Sequence, residues 1–382
     1  MIEFEEYKNW SSKFAFWPSS NSRFIDYSDL KKKVESYKNY FEVISIGKSE
    51  KGKSIFKVCL GSGEKKIMSW SQMHGNETSG TLAAFDFLDY LIQIPDLKAG
   101  VESKFCIQFI LMVNPDGAEV FERRNSQGID LNRDAIAQQA PETKLLIKEI
   151  KDFQPHITFN LHDQRTLFSV GKASNPATIS FLIPSFDFEK TVNKIRSFGM
   201  GLVASVWKSL PLQFQNNVGR YNDAFYPTAF GDNIQKTGVN CVLIEAGAAL
   251  NDPKRSEARL LVGFSLFSFL KSLTEGFKFS KSDYLEIPEN EQKLKDIIVS
   301  SIKLKHKRKP VLVDVSFKLE EWVEKGKFCR SLIIEDIGDL TQFKAYQPVN
   351  GNGLEFEISE IYIGRKMNFQ EFQHIFWEGV II

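Results

Sequence analysis

From residue 1 to about residue 275, short apolar runs of strand character alternate with longer stretches whose apolar residues recur at helical spacing; after that the alternation stops. This pattern constrains the fold most, because it supplies each strand with a helix to cover it, and so points to an α/β sheet with helices packed on its faces. FEVISIG, KSIFKVCLG, KKIMSWSQM, FCIQFILMV, ITFNL and NCVLI are the expected strands. Helices are expected from Ser28 or Asp29 to Tyr40, from Thr78 to Ile92, over PETKLLIKEIKDF behind Pro141, from Val192 to Leu210 and from Pro253 to Leu273. In the second of these Leu82, Phe85, Leu88, Leu91 and Ile92 share one face. Beyond Asp283 the chain turns lysine-rich and then strand-like (KPVLVDVSF, SLIIEDIG, LEFEISEIYI), broken by the turn signal NGNG at 350–353. The expected division is a catalytic-sized domain over 1–278 and a small, mainly β domain over 279–382.

Charge excludes one class of partner. With 49 Lys+Arg against 48 Asp+Glu the net charge is +1, and the one basic run, KLKHKRK at 303–309, is short enough to be a solvated strand face. No nucleic-acid footprint is expected, since that needs a concentrated basic face. The opening MIEFEEYKNW lacks the basic start and apolar stretch expected of a secretory signal, and no apolar run approaches the roughly 20 residues that span a bilayer. The expectation is a cytoplasmic protein without membrane contact that acts on a small molecule or peptide. Four scattered cysteines (Cys59, Cys106, Cys241, Cys329) without a C-x-x-C pair are expected as buried free thiols. Residues 47–54, GKSEKGKS, match the phosphate-cradling loop G-x-x-x-x-G-K-S letter for letter. That loop works only where a helix follows and turns its N–H groups on the phosphates. Here IFKVCLG follows, so a turn between two strands is the better reading.

The chain has five histidines, His74, His156, His162, His306 and His374, so their placement is informative. His74 follows directly on the strand KKIMSWSQM, and Glu77 comes three residues later in HGNE. A histidine and a carboxylate at that spacing can turn toward one cation, giving two of the three protein ligands of a catalytic zinc site. Alone the pair is a short pattern of high chance frequency. Other chemically able residues, however, also end predicted strands: His162 in NLHD, Glu245 in LIEAG, and the polar stretch with Arg123, Arg124, Asp130, Asn132 and Arg133 after FCIQFILMV. Open α/β sheets bind ligands in the crevice beyond the carboxyl ends of their strands, which would bring these groups together. His156 is expected to start its strand and bond locally; His306 and His374 have no expected role.

In this order HGNE, NPDG, RRNSQGIDLNR, NLHD and LIEAG resemble the zinc carboxypeptidase family, the metallocarboxypeptidases of the carboxypeptidase A type. GKSEKGKSI is similar to a strand-turn-strand segment of that family, which accounts for the false phosphate loop. The resemblance covers roughly the first 275 residues. It implies a mixed, mostly parallel sheet with helices on both faces, and a Zn²⁺ ion held by His74, Glu77 and His162. It further implies Glu245 as general base and acid, and Arg123 as the cation that polarises the scissile carbonyl, with Arg124 in that role if the loop is shifted by one. Asp130 matches the carboxylate that orients His74. Asn132 and Arg133 match the pair that grips a substrate carboxylate, and Tyr226, with Tyr221 as rival, matches a mobile tyrosine. Phe225 and Phe230 could line a specificity pocket, with core packing the alternative. The implied activity is a zinc-dependent metallohydrolase, a peptidase that removes C-terminal residues from peptides. The alternative is an N-acyl amino acid deacylase or cell-wall peptide amidase of the same fold, and a non-catalytic binding protein is the remaining reading. Two departures stand out. Asn76 occupies the place where digestive members have an arginine, and DAIAQQ follows DLNR where many relatives have N-F-P.

Overall fold

The structure is a computed structural model that describes residues 2–20, 23–172, 174–305 and 309–376. Its centre is a mixed eight-stranded sheet. In spatial order the strands are Glu42–Lys48, Ser54–Leu60, Phe105–Leu111, Lys65–Ser71, Ile157–Asp163, Asn240–Ala246, Ile179–Leu182 and Val218–Arg220. The four strands from Phe105–Leu111 to Asn240–Ala246 are mutually parallel, and the strand next to them on each side, Ser54–Leu60 and Ile179–Leu182, runs antiparallel to them. Helices pack on both faces, so these strands are buried nearly throughout. A first core joins Phe85, Leu88, Phe159, Val203 and Leu261, and a second joins Trp70, Ile110, Leu146 and Ile150.

Several boundaries differ from the sequence reading for local reasons. The first expected helix runs Tyr27–Tyr37, capped by Asp26, whose carboxylate accepts from the Asp29 N–H; neither Ser28 nor Asp29 is the cap. Ser256–Glu275 starts three residues later than expected. Sequence reading overlooked the helices Phe4–Phe14 and Pro95–Lys104 and the short strands Ile179–Leu182 and Val218–Arg220. Of the cysteines only Cys241 is buried, while Cys59, Cys106 and Cys329 are half-buried. Residues 47–54 form the turn of an antiparallel hairpin.

After Glu275 the chain forms a second sheet. Leu294–Lys305, Val311–Glu324 and Lys327–Gly338 pair antiparallel, Lys344–Asn350 adds in parallel, and the sheet has its own core around Ile297, Val315, Phe317 and Leu332. Of LEFEISEIYI only Glu355–Glu357 is strand, and NGNG is the turn before it. Within KLKHKRK, Lys303 and Lys305 pair with Glu355; residues 306–308, His306 among them, lie outside the described residues. No described helix is long and apolar enough to cross a membrane.

Candidate functional site

The strand order creates the crevice. Lys65–Ser71 is connected through its helix to Phe105–Leu111 on one side, while Ile157–Asp163 lies on the other, so a gap opens beyond their carboxyl ends. His74 sits three residues past Ser71, and His162 is the penultimate residue of its strand. Glu245 is register partner to His162 on the neighbouring parallel strand, so both side chains leave the same face of the sheet.

The HGNE turn folds back on itself through a hydrogen bond from the Glu77 N–H to the His74 carbonyl (3.1 Å). Gly75 is required by packing: a Cβ there would lie 2.1 Å from the carbonyl carbon of Gly117, and one on Gly117 would lie 2.4 Å from the Arg124 carbonyl oxygen. The metal-loop backbone thus rests on the NPDG backbone. Asn114 caps the helix Pro115–Val120 by accepting from the Gly117 N–H at 2.9 Å. Asp116 accepts from the Ser49 hydroxyl and the Lys51 N–H, both at 2.9 Å. The hairpin turn that mimics a phosphate loop therefore braces the loop under His74.

The donor atoms of His74, Glu77 and His162 lie within 4.8 Å of one another, and all three residues are buried. Glu77 Oε1 is 2.8 Å from His74 Nδ1, and its Oε2 is 2.7 Å from His162 Nδ1. Burial lowers the His162 pKa, keeping a neutral imidazole with a lone pair to offer. Burial also opposes charge on Glu77, but the two imidazoles hold its carboxyl well below the usual range. The buried His162 Nε2 has no hydrogen-bond partner among the described residues. Two imidazoles and one ionised carboxylate, out of solvent, are the donor set that a catalytic zinc site uses, so these residues fit such an ion.

Around them, Asp130 Oδ1 is 3.1 Å from His74 Nε2, and Asp130 Oδ2 accepts from Arg123 Nε at 3.0 Å. Burial alone would raise the Asp130 pKa; His74 and Arg123 instead hold it far below the usual carboxylate range. Arg123 also donates from Nη1 to Glu77 Oε1 (3.2 Å), while Arg124 turns away to the Gly128 carbonyl. Asn132 Oδ1 accepts from the Phe230 N–H at 2.9 Å. The Arg133 guanidinium lies 4.6 Å from the Tyr226 ring, and Tyr226 is 54% exposed at the rim. Tyr221 is more enclosed, edge-on to Phe168 at 5.3 Å, and burial together with Glu245 pushes its hydroxyl up to about 12. Glu245 has its pKa raised well above the usual value, first by burial and then by the charges of Glu77 and Asp163.

His74, Glu77, His162, Arg123, Arg133 and Glu245 line one cavity of about 600 Å³, with Tyr221, Tyr226, Asn76, Arg165 and Gln292 also in its wall and Asp130 behind it. A larger cavity of about 800 Å³, lined by Phe4, Leu97, Phe264 and Leu270, shares no residue with it and contains no imidazole or thiol. Phe230 packs in the core against Trp70, and Phe225 meets Phe188. His156 accepts from the Lys66 N–H on the adjacent strand, 90 residues away, so its bond is not local. Sequence reasoning missed the buried Arg23 and Arg255 in the cavity wall, and Asp163 beside them. Asp163 was visible in NLHD; Arg23 lies in an irregular segment with no periodic signal, and Arg255 directly precedes the helix Ser256–Glu275, inside the stretch expected as helix.

Comparison with known proteins agrees with this geometry. A family model described as zinc carboxypeptidase matches residues 27–232. Carboxypeptidase 2 of Trichophyton rubrum is 29% identical over 114 residues, which are 29% of this chain and 20% of that protein. Carboxypeptidase M of Mus musculus is 27% identical over 160 residues, 35% of this chain and 36% of that protein. The chain thus matches only about a fifth to a third of the length of these relatives. Among solved structures, a metallo-carboxypeptidase from Burkholderia cenocepacia aligns with TM-score 0.53 and 17% identity, covering 66% of this chain and 71% of that one. Carboxypeptidase A from Helicoverpa armigera aligns with TM-score 0.51 and 15% identity, covering 71% and 80%. The structural matches establish the shared fold.

Proposed function

Because the chain belongs to the zinc carboxypeptidase family, we propose that it is a zinc-dependent peptidase that removes C-terminal residues from peptides. The observation that carries this reading is a single cavity lined by the three-donor cluster, the Glu245 carboxyl and the Arg133 guanidinium. His74, Glu77 and His162 would hold the ion. Zinc bound there supplies a Lewis acid and brings the pKa of a bound water down to about 7.

The remaining steps belong to the protein. Glu245, on the strand beside His162, takes a proton from the attacking water and returns it to the leaving nitrogen. Arg123 stabilises the negative charge that grows on the carbonyl oxygen, while Asp130 fixes its orientation through Nε. Arg133 takes the terminal carboxylate with paired N–H groups, and the Tyr226 ring closes that end.

The test compares peptides differing only in a free or amidated C-terminus. A charge-assisted contact is worth about 1.5–3 kcal/mol, so amidation should lower kcat/KM by roughly 10- to 150-fold. Equal cleavage of both, or a preference for N-acyl amino acids over peptides, would replace this reading with that of a deacylase or amidase.

A further inference from the structure

The C-terminal sheet reaches the metal centre by two routes. Along the first, Glu321, on the strand Val311–Glu324, accepts from Arg23 Nη2 at 2.6 Å and Nε at 3.1 Å, and its other oxygen lies 3.2 Å from Arg330. Arg23 is only 7% exposed and donates from Nη1 to Asp163 Oδ2 at 3.2 Å. Asp163 directly follows His162. The same carboxylate oxygen takes the Ser79 hydroxyl at 2.8 Å, just beyond the HGNE turn, and the Asp163 N–H donates to Glu77 Oε2 at 3.1 Å. Three links thus separate a strand of the second sheet from a metal-cluster carboxylate.

The second route grips the segment that leaves His162. Tyr346 donates its hydroxyl to the Thr166 carbonyl at 2.9 Å, and the Leu294 N–H donates to the Leu167 carbonyl at 3.1 Å. Glu291 and Gln292 then pair with Ser169 and Phe168 as a short antiparallel ladder, which places Gln292 in the cavity wall. Residues 166–169 are therefore held from outside the catalytic sheet, at main-chain atoms a few positions after a predicted ligand.

We propose that the C-terminal sheet positions the metal centre, with Glu321, acting through Arg23 and Asp163, and Tyr346, acting on the 166–169 segment, as positioning residues for Glu77 and His162. This inference rests on the metal-site reading above. The physical basis is the fate of Arg23. Without the Glu321 charge, the buried guanidinium keeps, among the described residues, Asp163 as its one ion-pair partner. It then draws that carboxylate from Ser79, and with it the N–H that fixes the orientation of Glu77. Groups behind metal ligands tune affinity by setting ligand orientation.

The experiment measures zinc dissociation constants on the full chain by competition with a chromophoric chelator, alongside Tm of the zinc-free protein. The variants are E321Q, Y346F and, as control, E320Q, whose carboxylate pairs with the solvent-facing Lys366. E321Q should weaken zinc binding about tenfold and Y346F about two- to threefold, while E320Q leaves it unchanged. A purely structural role would lower Tm and leave zinc affinity alone, and that result overturns the proposal. Should E321Q fail to fold, Y346F decides: it removes one hydroxyl, and unchanged affinity refutes the positioning role. A wild-type chain that binds no zinc refutes the metal-site reading instead.

Discussion

Replacing Asp130 with Asn keeps the shape of the side chain and removes a charge that His74 and Arg123 share. Asp130 Oδ1 faces His74 Nε2 and accepts from the Asn132 N–H at 3.0 Å, and Oδ2 accepts from Arg123 Nε. An Asn carbonyl can serve the first two contacts. Its amide then meets the Arg123 Nε–H donor to donor, so one charge-assisted hydrogen bond worth about 1.5–3 kcal/mol is lost. His74 simultaneously loses the anion that makes its other nitrogen a stronger donor to a cation. At about 1.4 kcal/mol per factor of ten, these losses amount to roughly a 10- to 100-fold weaker zinc affinity at pH 7. The assay is chelator competition, with circular dichroism to show that the fold is retained. A D130N dissociation constant within threefold of wild type would refute the reasoning, because Asp130 would then be only a cap for the turn Leu131–Arg133.

Glu245→Gln should bind zinc normally and lose about 10²- to 10⁴-fold in kcat, and retention of kcat would remove Glu245 from proton transfer. Gly75→Ala forces the HGNE turn off the Gly117 backbone; we expect about 1–3 kcal/mol of lost stability together with reduced zinc content, both absent if the contact can relax. Burial pushes the Asp232 carboxyl up to about 6. Its folded pKa lies above its unfolded value, so its ionisation costs stability as pH rises from about 4 to about 6 and is fully felt above that. D232N should therefore gain on wild type across this window in denaturant titrations, and a pH-independent difference contradicts the assignment. Zinc removal should lower Tm, and re-addition should raise it by an amount that grows with zinc concentration.

The legible part of the site was the part written next to secondary structure. His74, His162 and Glu245 each end an apolar run, so strand recognition and the crevice rule place them together before any distance is known. Glu77 follows from its spacing to His74, while the place of Asp130 came from the family resemblance of IDLNR. The choice between Arg123 and Arg124 depends on which side chain a loop turns inward, and only coordinates show Arg124 bonded to Gly128. The short strand Ile179–Leu182 hid because four residues, three of them apolar, carry too little periodicity to separate strand from buried coil. Arg23 was illegible for a different reason: its meaning lies in Glu321, and no local pattern connects them. The helix Phe4–Phe14 has apolar residues at Phe4, Tyr7 and Trp10, a stripe too short to register against a charged background.

The pairing of Arg23 with Glu321 also has a history in time. The two residues are 298 positions apart, and a ribosome adds about 5–20 residues each second. Arg23 therefore leaves the ribosome about 15–60 s before its partner does. During that interval the central sheet gains its strands and Arg23 has Asp163 to pair with, but not yet Glu321. The Arg23–Glu321 bond is made only after every strand of the central sheet has been synthesised.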